Sequence, residues 1–292
     1  LVGAVIQARM GSTRLPGKVL KDICGKPLLL HIVERLQKTE TLDKIIVATT
    51  DGEEDNLLED FCEKNDICCF RGPSEDVLKR FVLAGEKYAL DDMLRVCADS
   101  PLIDPKSIDE MILLMQAEEA DLVSISPDKT SLLDGFESFR FEFLKKIDSL
   151  SLSPYQREHV TLFAKETPNV GKILYYDPPK EICFHDIRIT VDTPEDLAFI
   201  REVYHWLYEE NKIVDIRKIQ NLPFHIFRLN QGIRQKPVDP GIQKIHLIVD
   251  EPSEKLKNLK ILIEKNPQLY LDFLPKEPKE KNSDEFYFKI DE

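Results

Sequence analysis

Short apolar runs alternating with helical periodicities set out the plan of this chain. Residues 1–6, 44–50, 67–70, 93–97 and 121–126 are brief runs rich in β-branched and apolar residues with little polar face of their own. That is the pattern of strands covered on both sides in a parallel sheet. Between them, residues 27–38, 53–65 and 108–119 place apolar side chains at helical spacing, as amphipathic helices do when they cover a sheet. The β-α-β-α-β order predicts an α/β fold with a mostly parallel sheet and right-handed crossovers. Further along, residues 171–176 and 188–191 read as strands and 141–147 and 197–207 as helices. Residues 127–152 are otherwise irregular, with a turn at Asp134 and Gly135.

The polar residues between these runs punctuate them. Ser74 can cap a helix whose first turn carries Glu75 and Asp76, and Asp104 can cap the helix near Ser107. Thr193, Pro194 and Asp196 read as a capping box with a first-turn proline. His31, inside an apolar helix, reads as a packing residue. Beyond residue 236 the chain predicts a strand at 244–249, a helix at 255–265 and a charged, proline-punctuated linker at 275–284. The expected division is a domain over 1–236 and a small C-terminal extension over 237–292.

The first run ends in a different kind of sequence. Residues 7–18 hold two glycines, a proline, a serine, a threonine, two arginines and a lysine. A basic, glycine-containing loop at a strand's carboxyl end lies where open α/β sheets bind ligands. Gly11 and Gly17 allow backbone N–H groups to approach an anion, while Arg9, Arg14 and Lys18 neutralise phosphate charge and Ser12 adds a hydroxyl. The loop is not a Walker A motif, because Val19 follows Lys18, and its glycines lack the dinucleotide-binding spacing. Asp99 and Asp192 each follow an apolar run at an expected strand end. Two such carboxylates can share one hard cation with phosphate oxygens.

Charge and composition narrow the partners. The net charge of −13 argues against nonspecific nucleic-acid or membrane-surface binding, which needs basic patches. A basic loop on an acidic protein points instead to a small anionic ligand. The six cysteines have no metal-site spacing and read as reduced, buried small hydrophobes. No run has the length of a membrane span, so no membrane insertion is expected and the expected location is the cytoplasm.

Taken together, Gln7-Ala8-Arg9, Ser12 and Arg14-Leu15-Pro16-Gly17-Lys18 resemble the signature of the cytidylyltransferase family that makes CMP-activated sugars. The match is closest to its spore-coat polysaccharide branch, whose first loop reads Q-A-R-x-x-S-x-R-L-P-G-K. Residues 71–81 resemble the family's R-G-x-x-x-D-V-L-x-R segment and residues 98–105 its G-D-x-P-L-I-D-P segment, with Ala98 for the usual glycine. Arg157-Glu158-His159-Val160-Thr161, residues 188–197 and residues 230–236 match further family segments. Asp134, Gly135 and Glu137 match the sugar-side D-G-x-[DE] turn in part.

The resemblance implies a three-layer, Rossmann-like nucleotide-diphospho-sugar transferase fold and a nucleotidyl transfer from CTP to a small sugar. It implies nucleotide contacts from Gln7, Ala8, Arg9, Gly11, Ser12, Arg14, Lys18 and Arg80, and Mg2+ on Asp99 and Asp192. Arg9, Lys18, Asp99 and Asp192 form the implied catalytic set; Asp134, Glu137, Arg157 and His159 face the sugar. A homodimer is also implied. A nucleotidyltransferase using another nucleoside triphosphate, or a noncatalytic nucleotide- or sugar-binding relative, stays open.

Overall fold

The computed structural model describes residues 1–126, 135–150, 152–183, 188–230, 243–248, 256, 269–274 and 285–289. The chain divides into two units, Leu1–Gly232 and Ile233–Glu292. In the first, the elements run β1 (Val2–Gln7), β2 (Asp22–Ile23), β3 (Lys26–Pro27), α1 (Leu28–Leu36), β4 (Lys44–Thr50), α2 (Asn56–Lys64), β5 (Cys68–Gly72), α3 (Val77–Tyr88) and β6 (Asp92–Cys97). There follow α4 (Pro105–Ala117), β7 (Leu122–Ile125), β8 (Glu137–Arg140), α5 (Phe141–Asp148), α6 (Pro154–Glu158), α7 (Leu162–Glu166), β9 (Ile173–Tyr176), α8 (Pro194–Leu207) and α9 (Phe224–Phe227).

Seven strands form one sheet in the order β5-β4-β1-β6-β8-β7-β9. β1 lies between β4 and β6 and is parallel to both, β5 is parallel to β4, and β9 is parallel to β7. β8 alone runs antiparallel to its neighbours β6 and β7. Successive residues of β1 face opposite sides of the sheet, and the burial follows that alternation. Ala4 and Ile6 belong to one apolar cluster with residues of α1, α2, α4 and α8, whereas Val5 belongs to a second with residues of α3, α5 and α7. The sheet is thus the middle of three layers. Its strand order reverses between β1 and β6, and the crevice outside the carboxyl ends at such a reversal is where this architecture binds ligands.

Several expectations are corrected. Strand β8, in the stretch expected to be irregular, is short and carries Glu137 and Ser138 into the interior at 1% and 0% exposure; neither residue type signals a buried strand. Residues 188–191 are no strand of the sheet. Asp76, rather than Ser74, caps α3, accepting from the Lys79 N–H. Cys24 is exposed, at φ +50, and Cys62 buried, while the other four cysteines are partly covered.

Local chemistry does fix other ends. Asp104 caps α4 through the Ser107 N–H, and Thr193 and Asp196 form the capping box of α8. His31 is buried, with Nε2 2.7 Å from the Ile23 carbonyl and its ring 4.3 Å from that of Tyr204.

The second unit contains β10 (Gln243–Ile248) between β11 (Leu269–Leu274) and β12 (Glu285–Lys289), all parallel. The strand expected at 244–249 corresponds to β10. The helix expected at 255–265, apart from residue 256, and the linker at 275–284 lie outside the described residues.

Candidate active site

The loop leaving β1 folds around the main chain of Met10. The Ala8 N–H donates to the Ala48 carbonyl at 3.2 Å, keeping the loop's first residue beside β4. The Met10 N–H donates to Asp55 Oδ1 at 2.6 Å, and the Met10 carbonyl accepts from the N–H groups of Ser12 and Gly17, both at 2.9 Å. Gly17 closes the turn at φ +65, a conformation that costs glycine nothing. Among the described residues, the N–H groups of Arg9, Gly11, Thr13 and Arg14 donate to no protein acceptor. Open backbone donors beside cationic side chains make an anion-binding concavity.

Across the β1–β6 crevice, the ends of two segments bring acids to the same place. The Ala98 N–H donates to the Gln7 carbonyl at 3.2 Å, and Ala98 is absent from the residues of positive φ. Alanine therefore fits where the resembling sequences carry glycine. The Asp99 carbonyl accepts from the Val191 N–H at 2.8 Å, which docks the segment before α8 onto the end of β6.

Lys18 Nζ then donates to Asp192 Oδ1 (2.8 Å), the Val191 carbonyl (2.9 Å) and Asp99 Oδ2 (3.2 Å). Arg14 lies 3.3 Å from Asp192 Oδ1, and Arg188 bonds the other Asp192 oxygen.

The electrostatics follow from this crowding. Burial favours the neutral form of Asp192, but the Lys18 ammonium, with Arg14 and Arg188, overrides it and holds the carboxyl below its ordinary value. Burial likewise works against the Lys18 charge, and the two carboxylates outweigh it, raising the ammonium above its ordinary value. Asp99 and Asp192 thus stand close enough to share one cation, which here is an ammonium. Two hard oxygen donors from separate segments also suit a small divalent ion that keeps several waters or phosphate oxygens. Among the described residues, no group of three or more His, Cys, Asp or Glu side chains forms a metal site.

The other expected residues fall at varied distances from this centre. Arg9 is exposed at the loop's start, and Gly11 and Ser12 lie on it, partly covered. Gln7 Oε1 accepts from Arg95 Nε at 3.0 Å. Arg80 is 3% exposed and is spent on the loop after β5, donating to the carbonyls of Pro73 (2.7 and 3.0 Å) and Ser74 (3.0 Å). Glu137 is buried, its carboxylate accepting from Arg95 (3.1 Å), Thr161 and Lys165 (2.5 Å each). Arg157 bridges Asp76 (2.6 Å) and Asp148 (2.5 Å). These three serve the fold in the first instance.

His159 is partly covered, its ring 4.4 Å from that of Tyr155, and its carbonyl accepts from Arg95. Asp134 lies outside the described residues. Asp55 and Arg95 also belong to the surroundings of the loop and crevice, without any motif to mark them. Asp55 stands in an acidic run with Glu53 and Glu54, where only burial singles it out. Arg95 lies inside an apolar strand, where a lone arginine is itself a signal that its charge is paired.

A cavity of about 400 Å³ lined by Val33, Lys44, Ile45, Ile67 and Cys68, among others, lies at the amino ends of β4 and β5. It is at the wrong end of the sheet for the ligand site of this architecture.

A family model described as cytidylyltransferase matches residues 4–219. The chain is 37% identical over 238 residues to the uncharacterized protein MJ1063 of Methanocaldococcus jannaschii, covering 80% of this chain and 95% of that one. It is 33% identical over 205 residues to the spore coat polysaccharide biosynthesis protein SpsF of Bacillus subtilis, covering 68% and 85%. Among solved structures, a cytidylyltransferase from Leptospira borgpetersenii is 30% identical, with a TM-score of 0.72 over 80% of this chain and 99% of that one. With its loop, its paired carboxylates and most of its length accounted for in this way, the chain belongs to the cytidylyltransferase family and is a nucleotidyltransferase that uses CTP.

Proposed function

We propose that this enzyme activates a sugar of a cell-surface glycan with CTP, giving a CMP-sugar and pyrophosphate. The observation that carries the reading is the meeting of Lys18, Asp99 and Asp192 beside a loop with open N–H donors. A hydroxyl of the sugar attacks the α-phosphorus; the new O–P bond forms as the bond to the β-phosphate oxygen breaks, pyrophosphate leaves and the hydroxyl proton passes to solvent. Such a displacement asks for positioning and charge neutralisation more than for covalent help.

The loop donors and Arg9 bind the β and γ phosphates. Lys18, on a four-carbon stem between the acids and the loop, serves phosphate oxygens as well as carboxylates. Arg14 and Arg188 keep Asp192 ionised and oriented. Asp99 and Asp192 are the residues that would hold Mg2+, which when bound neutralises charge on the polyphosphate. The match to the spore coat protein supports a glycan sugar. The exposed Tyr175 on the sheet's edge strand β9 supports a homodimer, and the use of CTP supports a reaction in the cytoplasm.

Asp99→Ala and Lys18→Ala should each lower Mg2+-dependent pyrophosphate release from CTP, over a panel of sugars, on the order of 10²- to 10³-fold with the fold retained. Turnover near that of the unsubstituted enzyme in both would defeat the assignment, and faster turnover with another nucleoside triphosphate would move the base preference away from cytidine.

A further inference from the structure

We propose that Asp55, which lies outside the loop and outside every matched motif, is the positioning residue that sets the loop's shape for the triphosphate, an inference that rests on the loop being the CTP site. Asp55 is fully buried at the end of the 3-10 turn Glu53–Asp55 that follows β4. It occupies the N-cap position of α2, yet its side chain caps no N–H of that helix. Its carboxylate is spent elsewhere. Oδ1 accepts from the Met10 N–H at 2.6 Å, and Oδ2 accepts from the Thr50 N–H at 3.1 Å and from the Thr50 hydroxyl. One side chain therefore ties the end of β4 to the loop that leaves β1.

The attachment point matters because Met10 is the pivot of the loop. Its carbonyl takes the N–H groups of Ser12 and Gly17, so a shift at Met10 moves both limbs, and Gly17 leads directly into Lys18. The same turn borders the loop a second time: a Cβ on Gly11 would stand 2.6 Å from Glu54 Oε1, the end of an exposed side chain that can swing aside. A carboxylate suits three converging donors because both its oxygens only accept. An amide in its place would aim an NH2 group at another donor. Burial works against the charge on Asp55, but the bonds from Thr50 and Met10 hold its carboxyl below the ordinary value.

The test compares full-length unsubstituted protein, Asp55→Asn and Thr50→Val by amide hydrogen exchange without ligand and by calorimetric titration with CTP. In D55N, exchange across residues 8–18 should speed up about tenfold or more with β1 and residues 44–48 of β4 unchanged. Its CTP affinity should fall about tenfold or more. T50V keeps the bond to Met10 and should bind CTP within about twofold of the unsubstituted protein. Unchanged loop exchange together with unchanged CTP affinity in D55N would overturn the proposal, as would an equal loss of affinity in T50V.

The unsubstituted protein supplies a check that does not depend on the variant folding. Its Met10 amide should exchange slowly while those of Arg9, Gly11, Thr13 and Arg14 exchange fast, and a fast Met10 amide contradicts the role of Asp55. If the unsubstituted protein binds no CTP, the reading of the loop fails, and the exchange data alone decide whether Asp55 holds it.

Discussion

Asp192 meets three cations at once, Lys18 and Arg14 on one oxygen and Arg188 on the other. Replacing it by asparagine would leave three like charges facing one another at a largely buried position. Breaking a buried pair from one side costs about 3 kcal/mol or more, and urea unfolding of D192N should show a loss of that order. The same cluster sets a pH dependence. The carboxyl of Asp192 is depressed from its ordinary 3.8. As pH falls through that value the unfolded chain takes up the proton first, so the stability is complete above it and is lost as pH falls further.

Lys18, raised from 10.5, contributes fully below that value and ceases to as pH rises through its raised one. Between these limits the cluster should add no slope to stability, and D192N should flatten the acid limb in a pH series of unfolding curves. A steep dependence on this side chain near neutrality would contradict the ion pairing.

At the scale of elements, the start of α8 holds the second acid in place. Asp196, fully buried, accepts from the N–H groups of Asp192 (3.1 Å) and Thr193 (3.0 Å) and from Asn230 (3.2 Å), and pairs with Arg188 at 3.1 Å. Asp196→Ala removes a cap and one partner of a buried ion pair, and should cost about 3–5 kcal/mol in thermal or urea unfolding. Thr193→Ala loses only the cap and should cost about 1 kcal/mol, with pyrophosphate release little changed.

This capping box was legible in the sequence because capping is local chemistry, as were β1, its basic loop and the acid after β6. What escaped was set by distant partners. Residues 188–191 carry strand-forming side chains, yet the Val191 N–H goes to Asp99 and its carbonyl to Lys18, so the segment serves the site instead of the sheet. Glu137 reads as a surface acid until β8 inserts it beside Arg95 and Lys165. Asp55 cannot be told from Glu53 and Glu54 until the loop folds onto it.

For the whole molecule, the apolar clusters that enclose the sheet draw on residues of the first unit from end to end. A chain ended at residue 242 should therefore unfold cooperatively within about 5 °C of the full chain and bind CTP with the same affinity. A truncated chain that fails to fold would assign the C-terminal extension a structural role. Long-range charge is also spread unevenly, with a net −13 overall but a cationic loop at the crevice. CTP affinity should fall as salt rises, since exposed charges such as Arg9 are screened.

The most direct measurement of the central claim is a calorimetric titration of CTP, in magnesium, into the unsubstituted protein and Lys18→Met. CTP should bind at least about tenfold more tightly than the other nucleoside triphosphates, and the substitution should weaken CTP by about tenfold or more. Equal affinity of the two proteins, or no preference for CTP, would contradict that claim.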